Sequence, residues 1–150
     1  MVVDTALIQM KISNYKTMDG MKLKDIQKIV DEVFPKIENY YGYSNHFPEV
    51  TPYIEYETSI YGRMSGEEDD GSMGEESPDA EFDRIDNSIV IYYPKMKSKK
   101  HIVETLVHEY QHYLQSPSWM TRYYNMGFRY DNHPYEIAAT NEEKNYKLFI

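Results

Sequence analysis

Apolar residues recur at three- and four-residue steps over residues 21 to 41, which predicts an amphipathic helix. The apolar positions are Leu23, Ile26, Ile29, Val30, Val33, Phe34 and Ile37. Pro35 should kink or end this helix near Phe34, because proline lacks a backbone N–H, and Gly42 marks the stop. The first 18 residues carry only a weak pattern, which fits a strand or a short helix.

Two stretches have strand character. Residues 53 to 61 alternate well enough for a strand, and they follow a predicted loop over residues 44 to 52 that contains Pro and Asn. Residues 82 to 93 form a second run rich in β-branched and aromatic side chains, with a turn predicted at Asp86-Asn87. We therefore expect a small sheet in the middle of the chain.

Residues 98 to 116 carry the best helical pattern, with Ser98 as the predicted N-cap. A final helix is predicted over residues 134 to 149, because proline suits the first helical position. Helices at both ends and strands between them predict an α+β fold, and we find no internal linker or repeat. Residues 1 to 150 are thus expected to form one domain.

The amino-acid composition limits the kinds of metal site and nucleophile that the protein can have. Hydrophobic residues make up 41% of the chain and cysteine is absent. The hydrophobic share is typical of a globular protein. The absence of cysteine excludes disulfides, cysteine nucleophiles and thiolate zinc sites, so that a metal site must use His and carboxylate ligands. We see no secretory signal and no run of about 18 apolar residues, so a soluble, cytoplasmic protein without a membrane partner is expected.

The charge is concentrated in one segment. Residues 67 to 83 contain nine acids and no Lys or Arg, which accounts for the whole net charge of −9. The absence of a basic excess predicts no nucleic-acid partner. The Gly-, Ser- and acid-rich stretch over residues 62 to 81 predicts a mobile, solvated loop. Two functional hypotheses for this segment are a flap over a cleft and a docking site for a basic partner.

The predicted helix over residues 98 to 116 contains the motif His108-Glu109-Tyr110-Gln111-His112, an H-E-x-x-H sequence. Two His residues four apart lie about 40° apart around a helix, so that both rings can bind one metal ion. Zinc accepts imidazole ligands and leaves a position for water, and the Glu beside the first His can act as general base.

The two faces of this helix differ. One face is apolar and carries Val103, Leu106, Val107, Tyr110, Tyr113 and Leu114. The other is polar and carries His101, Glu104, His108, Gln111, His112 and Gln115. The His pair therefore belongs to the polar face, which we expect to line a cleft while the apolar face packs.

Two neighbouring features favour a peptidase site. The strand-like run from Ser88 to Tyr93 precedes the helix, and we expect it to be an edge strand that lies beside the metal and pairs with extended substrate. Glu136 follows His112 by 24 residues. It falls in the first turn of the predicted last helix and can point back at the His pair.

These motifs resemble the gluzincin branch of the zincin metallopeptidases, including the compact minigluzincins and small zincin-like proteins of phages. The resemblance covers Ile85 to Ala139. It implies the zinc ligands His108, His112 and Glu136, with Glu109 as catalytic base. It also implies a zincin-like α+β fold with an N-terminal helix, a small mixed sheet with an edge strand, an active-site helix and a C-terminal third-ligand helix.

The sequence departs from the family patterns in two places. The metzincin extension would need Gly at Gln115 and His at Ser118, and the gluzincin N-E-x-x-S-D form is missing because Tyr135 precedes Glu136. The third ligand therefore has alternatives, namely Asp131, His133, Glu142 and Glu143. Of the other His residues, we expect His133 to be a loop or N-cap residue, His101 to face solvent and His46 to lie in a loop.

The leading hypothesis is zinc-dependent hydrolysis of peptide bonds in a peptide or protein substrate. An oxyanion stabiliser is also expected, because negative charge develops on the carbonyl oxygen during attack. Five residues lie in the right stretch for it: Tyr123, Tyr124, Arg129, Tyr130 and Tyr135. The alternative is a non-catalytic binding or structural protein on a zincin scaffold that retains the metal site.

Overall fold

A computed structural model describes residues 16–17, 19–56 and 78–150. The predictions for the first 15 residues and for residues 57 to 77, which include most of the acidic loop, lie outside the described residues. Within the described part of the chain, four helices and one three-stranded mixed sheet form an α+β structure, as predicted.

The helices and strands follow one another in a simple order. They are α1 (Leu23–Tyr41), β1 (Thr51–Glu55), β2 (Ala80–Asp83), β3 (Ser88–Tyr92), α2 (Lys99–Leu114), α3 (Pro117–Asn125) and α4 (Pro134–Glu142). Short 3-10 helices cover Tyr93–Lys95, Tyr130–Asn132 and Glu143–Leu148.

Helix α1 covers most of the predicted range and passes through Pro35 to end at Tyr41, so of the two predicted effects of Pro35 an end near Phe34 is wrong. Pro35 lies on the exposed face, where water can solvate the carbonyl that loses its partner. Ile37, beyond the proline, is fully buried, and its packing favours continuation of the helix. The helix stops at Gly42, as predicted, with φ of 78° and the Gly42 N–H bonded to the Glu38 carbonyl.

The sheet has the order β1-β3-β2, with β1 parallel and β2 antiparallel to β3. The prediction that Ser88 to Tyr93 form an edge strand is wrong, because β3 is the central strand. All five residues of β3 are buried, as expected for a strand with a neighbour on each side and both faces covered. Among the described residues the edges are β1 and β2, and β2 is the edge strand beside α2.

Strand boundaries differ from the prediction by a few residues. β1 begins at Thr51 and includes Pro52, which was assigned to the preceding loop. An edge strand tolerates proline, since one side of its backbone needs no partner. β2 begins at Ala80, inside the stretch predicted as a loop. The turn at Asp86-Asn87 is confirmed, and Asn87 takes a φ of 52°.

Helix α2 lies at the centre of the core. Ser98 caps it, accepting a hydrogen bond from the His101 N–H at 3.1 Å. Its predicted apolar face is buried apart from Leu114, which is partly buried. This face packs on α1 and on the sheet, while the other side of the helix contacts α4 and the 3-10 helix Glu143–Leu148. The polar face is thereby brought against the C-terminal part of the chain.

The C-terminal segment is less uniformly helical than predicted, because α4 ends at Glu142 and tighter 3-10 turns continue to Leu148. His133 is the N-cap of α4, as expected, and its ring accepts a hydrogen bond from the Tyr135 N–H at 3.0 Å. Within the described ranges, no helix combines the length and the apolar character that crossing a bilayer requires.

Replacing Pro35 by alanine should stabilise the protein. The change restores a backbone hydrogen bond on the exposed face of α1, and we expect the free energy of unfolding to rise by about 2 kcal/mol. Pro134→Ala is the matched control, since proline at the first helical position costs nothing and its removal should not stabilise. Urea unfolding followed by circular dichroism measures both. A Pro35→Ala protein no more stable than the wild type would contradict this account.

Candidate metal centre

Helix α2 and the first turn of α4 bring three predicted ligands together. The Nε2 atoms of His108 and His112 lie 3.2 Å apart. Glu136 reaches both rings, with Oε2 at 3.1 Å from His108 Nε2 and Oε1 at 2.8 Å from His112 Nε2. One ligand atom from each side chain falls within 4.8 Å of the others. These three residues therefore form a group that can hold one metal ion.

The opposite nitrogen of each ring is also engaged. His108 Nδ1 donates to Glu143 Oε2 at 2.8 Å, and His112 Nδ1 donates to Gln115 Oε1 at 2.7 Å. A ring that donates through Nδ1 keeps the lone pair of Nε2 for a metal ion, and the partner also fixes the ring plane. Both imidazoles are thus oriented toward the same point.

The alternatives for the third ligand have other roles. Glu143 contacts the far side of the His108 ring instead of the ligand side. Glu142 accepts a hydrogen bond from the Tyr41 hydroxyl at 2.9 Å, at the end of α1. His133 is fully buried and uses both ring nitrogens in hydrogen bonds to backbone atoms. Asp131 is exposed. Glu136 alone of the five candidates lies between the two Nε2 atoms.

Gln115 lies on the polar face of α2, and the structure places it in contact with the candidate site. Its side-chain amide donates to the Tyr135 carbonyl at 3.0 Å while its oxygen accepts from His112. It therefore connects the second His to the first turn of α4, where Glu136 lies. The three-residue spacing from His112 is the signal that could have identified it, since helical residues at that spacing are neighbours.

The electrostatics favour ionised side chains at this point. Burial by itself lowers the pKa of His108, but hydrogen bonds to Glu136 and Glu143 outweigh it and raise the pKa to about 10. Burial raises the pKa of Glu136, but hydrogen bonds from the two His rings outweigh it and lower the pKa to about 2. The site thus stabilises positive charge on the His rings beside Glu136. A divalent cation can replace the protons on the Nε2 atoms.

The donor set fits a transition-metal ion such as zinc. Two imidazole nitrogens and one carboxylate oxygen are ligands that zinc accepts in tetrahedral sites. Among the residues that the structure describes, the ligating group has three members, which leaves a fourth tetrahedral position for water or substrate. The donor set alone does not select zinc from other divalent ions, because imidazole also suits several other metals.

Glu109 lies beside the ligand group and is only 9% exposed. The backbone of Phe82 in β2 donates a hydrogen bond to its carboxylate. Burial raises the pKa of Glu109, and the charges of His112 and His108 offset this only in part. A carboxylate with a raised pKa accepts and returns protons more readily near neutral pH, as a general base requires.

A cleft runs past the ligand group and has two compartments. The larger, of about 570 Å³, lies between β2 and α3, and the smaller, of about 310 Å³, lies toward the start of α2. His112 and Glu136 line the larger compartment and His108 lines the smaller. Four residues line both: Pro78, Ala80, Glu109 and Tyr130. The ligand group and Glu109 therefore face a cavity that extends to either side.

The five candidates for the oxyanion stabiliser differ in whether they line the cleft. Tyr123 and Tyr135 pack against His133 in an aromatic cluster, away from the cleft lining. Arg129 is exposed and caps the 3-10 helix Tyr130–Asn132. The structure places two of the five, Tyr124 and Tyr130, in the cleft.

Tyr130 is the better placed of the two tyrosines. The residue is 67% exposed as a whole, but its hydroxyl hydrogen-bonds Glu136. Burial of the hydroxyl and the negative charges of Glu136 and Glu109 raise the pKa of Tyr130 to about 12. The hydroxyl therefore keeps its proton at neutral pH and is a hydrogen-bond donor beside the ligand group.

His101 does not face solvent freely, contrary to the prediction. Its Nδ1 accepts a hydrogen bond from the Lys97 N–H at 3.1 Å, and its Nε2 donates to Asp79 Oδ2 at 2.8 Å. It thus ties the start of α2 to the residue before β2 and lines the smaller compartment. His46 is exposed in the loop before β1, as expected.

Comparisons of the chain with protein-family models, with curated proteins and with solved structures returned no match.

Zinc affinity should fall most when a ligand is removed and less when a residue that orients a ligand is changed. With zinc as the probe, His108→Ala should abolish stoichiometric binding, and Glu143→Gln should weaken it by roughly 10- to 100-fold, because the neutral amide orients the ring less well. Glu142→Gln is the matched control, since this residue contacts Tyr41 instead of a ligand and the oxygen of its amide can still accept the Tyr41 hydrogen bond. Competition with a chromophoric chelator measures the affinities. Equal affinities for the Glu142 and Glu143 variants would contradict the orienting role.

Proposed function

We propose that this chain is a zinc-dependent peptidase with a zincin-like architecture. One observation carries the proposal: the ligand atoms of His108, His112 and Glu136 converge within 4.8 Å at a cleft that Glu109 also lines. Three ligands, an adjacent general base and open space for substrate are the components that metal-assisted hydrolysis requires.

The arrangement of elements supports the zincin comparison. A helix carries the first two ligands, a second helix carries the third, and a mixed sheet lies behind the first helix. The strand beside the candidate site is β2 and not the predicted Ser88–Tyr93 strand; β2 runs antiparallel to β3 and contacts Glu109 through Phe82. Among the described residues no strand pairs with the outer edge of β2. This edge offers main-chain groups to an extended peptide.

The chain's own residues account for the proton transfers. When bound, zinc supplies Lewis acidity, which lowers the pKa of a water molecule and polarises a carbonyl. Glu109 accepts a proton from the attacking water and then delivers it to the nitrogen of the leaving amine. Glu136, His108 and His112 hold the ion, while Glu143 and Gln115 keep the two rings in orientation.

Tyr130 completes the proposed machinery. The carbonyl oxygen gains negative charge during attack, and a donor that is already in place lowers the energy of that state. The Tyr130 hydroxyl lies beside Glu136 and lines both compartments, so it can reach an oxygen held at the ligand group. We assign it the role of oxyanion donor, with Tyr124 as the alternative further along the cleft.

Glu109→Gln tests the mechanism directly. The amide cannot accept a proton, so hydrolysis of a peptide mixture should fall by roughly 10²- to 10⁴-fold. Zinc affinity should stay near that of the wild type, because Glu109 is not one of the three ligands. Mass spectrometry of the peptide products and metal analysis of the same sample give the two readouts. Normal cleavage by the variant would rule out the mechanism.

The same experiment separates the alternative function. A non-catalytic binding or structural protein would bind zinc with wild-type affinity and leave every peptide intact in both the wild type and the Glu109 variant. The hypothesis of a basic partner for residues 67 to 83 is independent of the metal site. Deleting residues 67 to 77 should abolish such binding and leave the zinc content unchanged.

Tyr130→Phe should reduce kcat while leaving KM close to its wild-type value, and measurement at saturating zinc separates this effect from any loss of zinc affinity through the contact with Glu136. Loss of a single oxyanion donor costs roughly 10²- to 10³-fold in kcat. Tyr124→Phe is the matched control, because Tyr124 lines the same cleft and feels Glu136 through its charge instead of through a hydrogen bond. Steady-state kinetics on the best peptide decides between them. A larger effect of the Tyr124 variant would transfer the role to Tyr124.

A further inference from the structure

Two carboxylates meet where α1 ends, outside the cleft that holds the candidate metal centre. Glu38 lies in the last turn of α1, and Glu49 comes just before β1. Their side chains lie within hydrogen-bonding reach of each other, and neither residue lines the cleft. Two ionised carboxylates at this separation repel each other. The pair is therefore stable only with a positive charge between its oxygens, either a shared proton or a cation.

The backbone holds both residues in place. The Glu38 carbonyl accepts a hydrogen bond from the Gly42 N–H at 2.8 Å, which closes the end of α1. Asn87, in the turn between β2 and β3, donates to the carbonyls of Pro48 and Glu49 at 2.9 Å and 2.8 Å. The two carboxylates thus face each other because two anchored segments bring them together.

The surroundings of the pair add negative charge. The free carbonyls at the C-terminal end of a helix carry partial negative charge, and the last turn of α1 contains no basic residue. Burial and the nearby charge of Glu49 raise the pKa of Glu38. The Oε2 atom of Glu38 is buried and has no hydrogen-bond donor in the described part of the chain. This oxygen therefore has a free lone pair for a cation.

A buried tyrosine hydroxyl is directed at the same place. Tyr113 is fully enclosed, and among the described residues its hydroxyl has no hydrogen-bond partner. The charges of Glu38 and Glu49, and to a smaller extent that of Tyr113, raise the pKa of Tyr43, so these three groups surround one hydroxyl. A buried hydroxyl without a partner is unfavourable, and a water molecule bound to an ion beside it would accept its hydrogen bond.

The available ligand atoms are all oxygens. The Gly42 carbonyl accepts a hydrogen bond from the Tyr110 hydroxyl at 2.6 Å and keeps a second lone pair. Burial and the charges of Tyr113 and Glu38 raise the pKa of Tyr110, which places this carbonyl near the pair. Calcium takes roughly six to eight oxygen ligands in flexible geometry, whereas magnesium requires a strict octahedron. Because Glu49 is exposed, water can complete the coordination shell of a calcium ion.

We propose that Glu38 and Glu49 form a binding site for a hard divalent cation, best matched by calcium, between the end of α1 and the loop before β1. The ion neutralises the two carboxylates and the negative end of the helix, and one of its water ligands pairs with the Tyr113 hydroxyl. It thereby links α1 to the start of β1. This site is separate from the candidate metal centre and goes beyond the proposed peptidase function.

Thermal unfolding in calcium chloride tests the site. Two carboxylates with several water ligands should give a Kd of roughly 10⁻⁴ to 10⁻³ M. About 10 mM calcium chloride should therefore raise the Tm of the zinc-loaded wild type by about 4 to 8 °C, relative to potassium chloride of equal ionic strength. Glu38→Gln and Glu49→Gln should each lose most of this shift. Glu32→Gln is the matched control, because it removes the same charge from an exposed position of α1.

Terbium(III) luminescence shows where the ion binds. Terbium occupies calcium sites and emits when a nearby tyrosine transfers its excitation energy to the ion. Three tyrosines, Tyr43, Tyr110 and Tyr113, lie around the pair, so excitation of tyrosine in the zinc-loaded protein should give terbium emission that excess calcium removes. Most of this emission should be lost in Glu38→Gln and in Glu49→Gln, and it should be kept in Glu32→Gln.

Three results would overturn the proposal. No calcium-dependent rise in the wild-type Tm would mean that the pair holds a proton instead of a cation. An equal rise in all the variants would assign the binding to other acids, such as those of residues 67 to 83. Terbium emission that the Glu38 and Glu49 variants retain would place the ion elsewhere. Zinc affinity and peptide cleavage enter none of these readouts, so the proposed peptidase function and the calcium site can fail separately.

Discussion

The candidate centre depends on the simultaneous orientation of two imidazole rings toward one carboxylate. His108 and His112 project from successive turns of α2, and each ring is held from behind, by Glu143 and by Gln115. Without these partners the rings would be free to rotate and would change tautomer. With them, both Nε2 atoms face Glu136, and each ring has a fixed orientation.

This orientation depends in turn on how the C-terminal segment is attached. Glu136 and Glu143 come from α4 and the 3-10 helix that follows it, neither of which has an extensive buried face of its own. Ala139 and Phe149 are buried, and Glu142 and Asn145 hydrogen-bond the Tyr41 hydroxyl at the end of α1. The continuation of α1 beyond Pro35 is therefore part of what positions the candidate ligands.

The apolar and polar faces of α2 have separate roles. The buried face, with Tyr110 and Tyr113 fully enclosed, fixes the axis of the helix against α1 and the sheet. Glu109 lies at the border, close enough to β2 for a hydrogen bond from the Phe82 backbone. Burial raises the pKa of Glu109, whereas the hydrogen bond from the Phe82 backbone lowers it, so β2 contributes to the protonation equilibrium of the proposed general base.

The sequence by itself determined the features that depend on local periodicity: α1 and α2, the Ser98 cap, the turn at Asp86-Asn87, and the pairing of two His residues on one polar helix face. It also pointed to Glu136, although several other acids remained possible. Only the tertiary structure decided that β3 is central and β2 is the edge, that Glu143 and Gln115 orient the rings, and that Tyr130 reaches the ligand group. Hydrophobic patterns report which side of an element is buried, whereas strand order and contacts between distant side chains depend on how the elements pack, and one chain's local pattern carries no record of that packing.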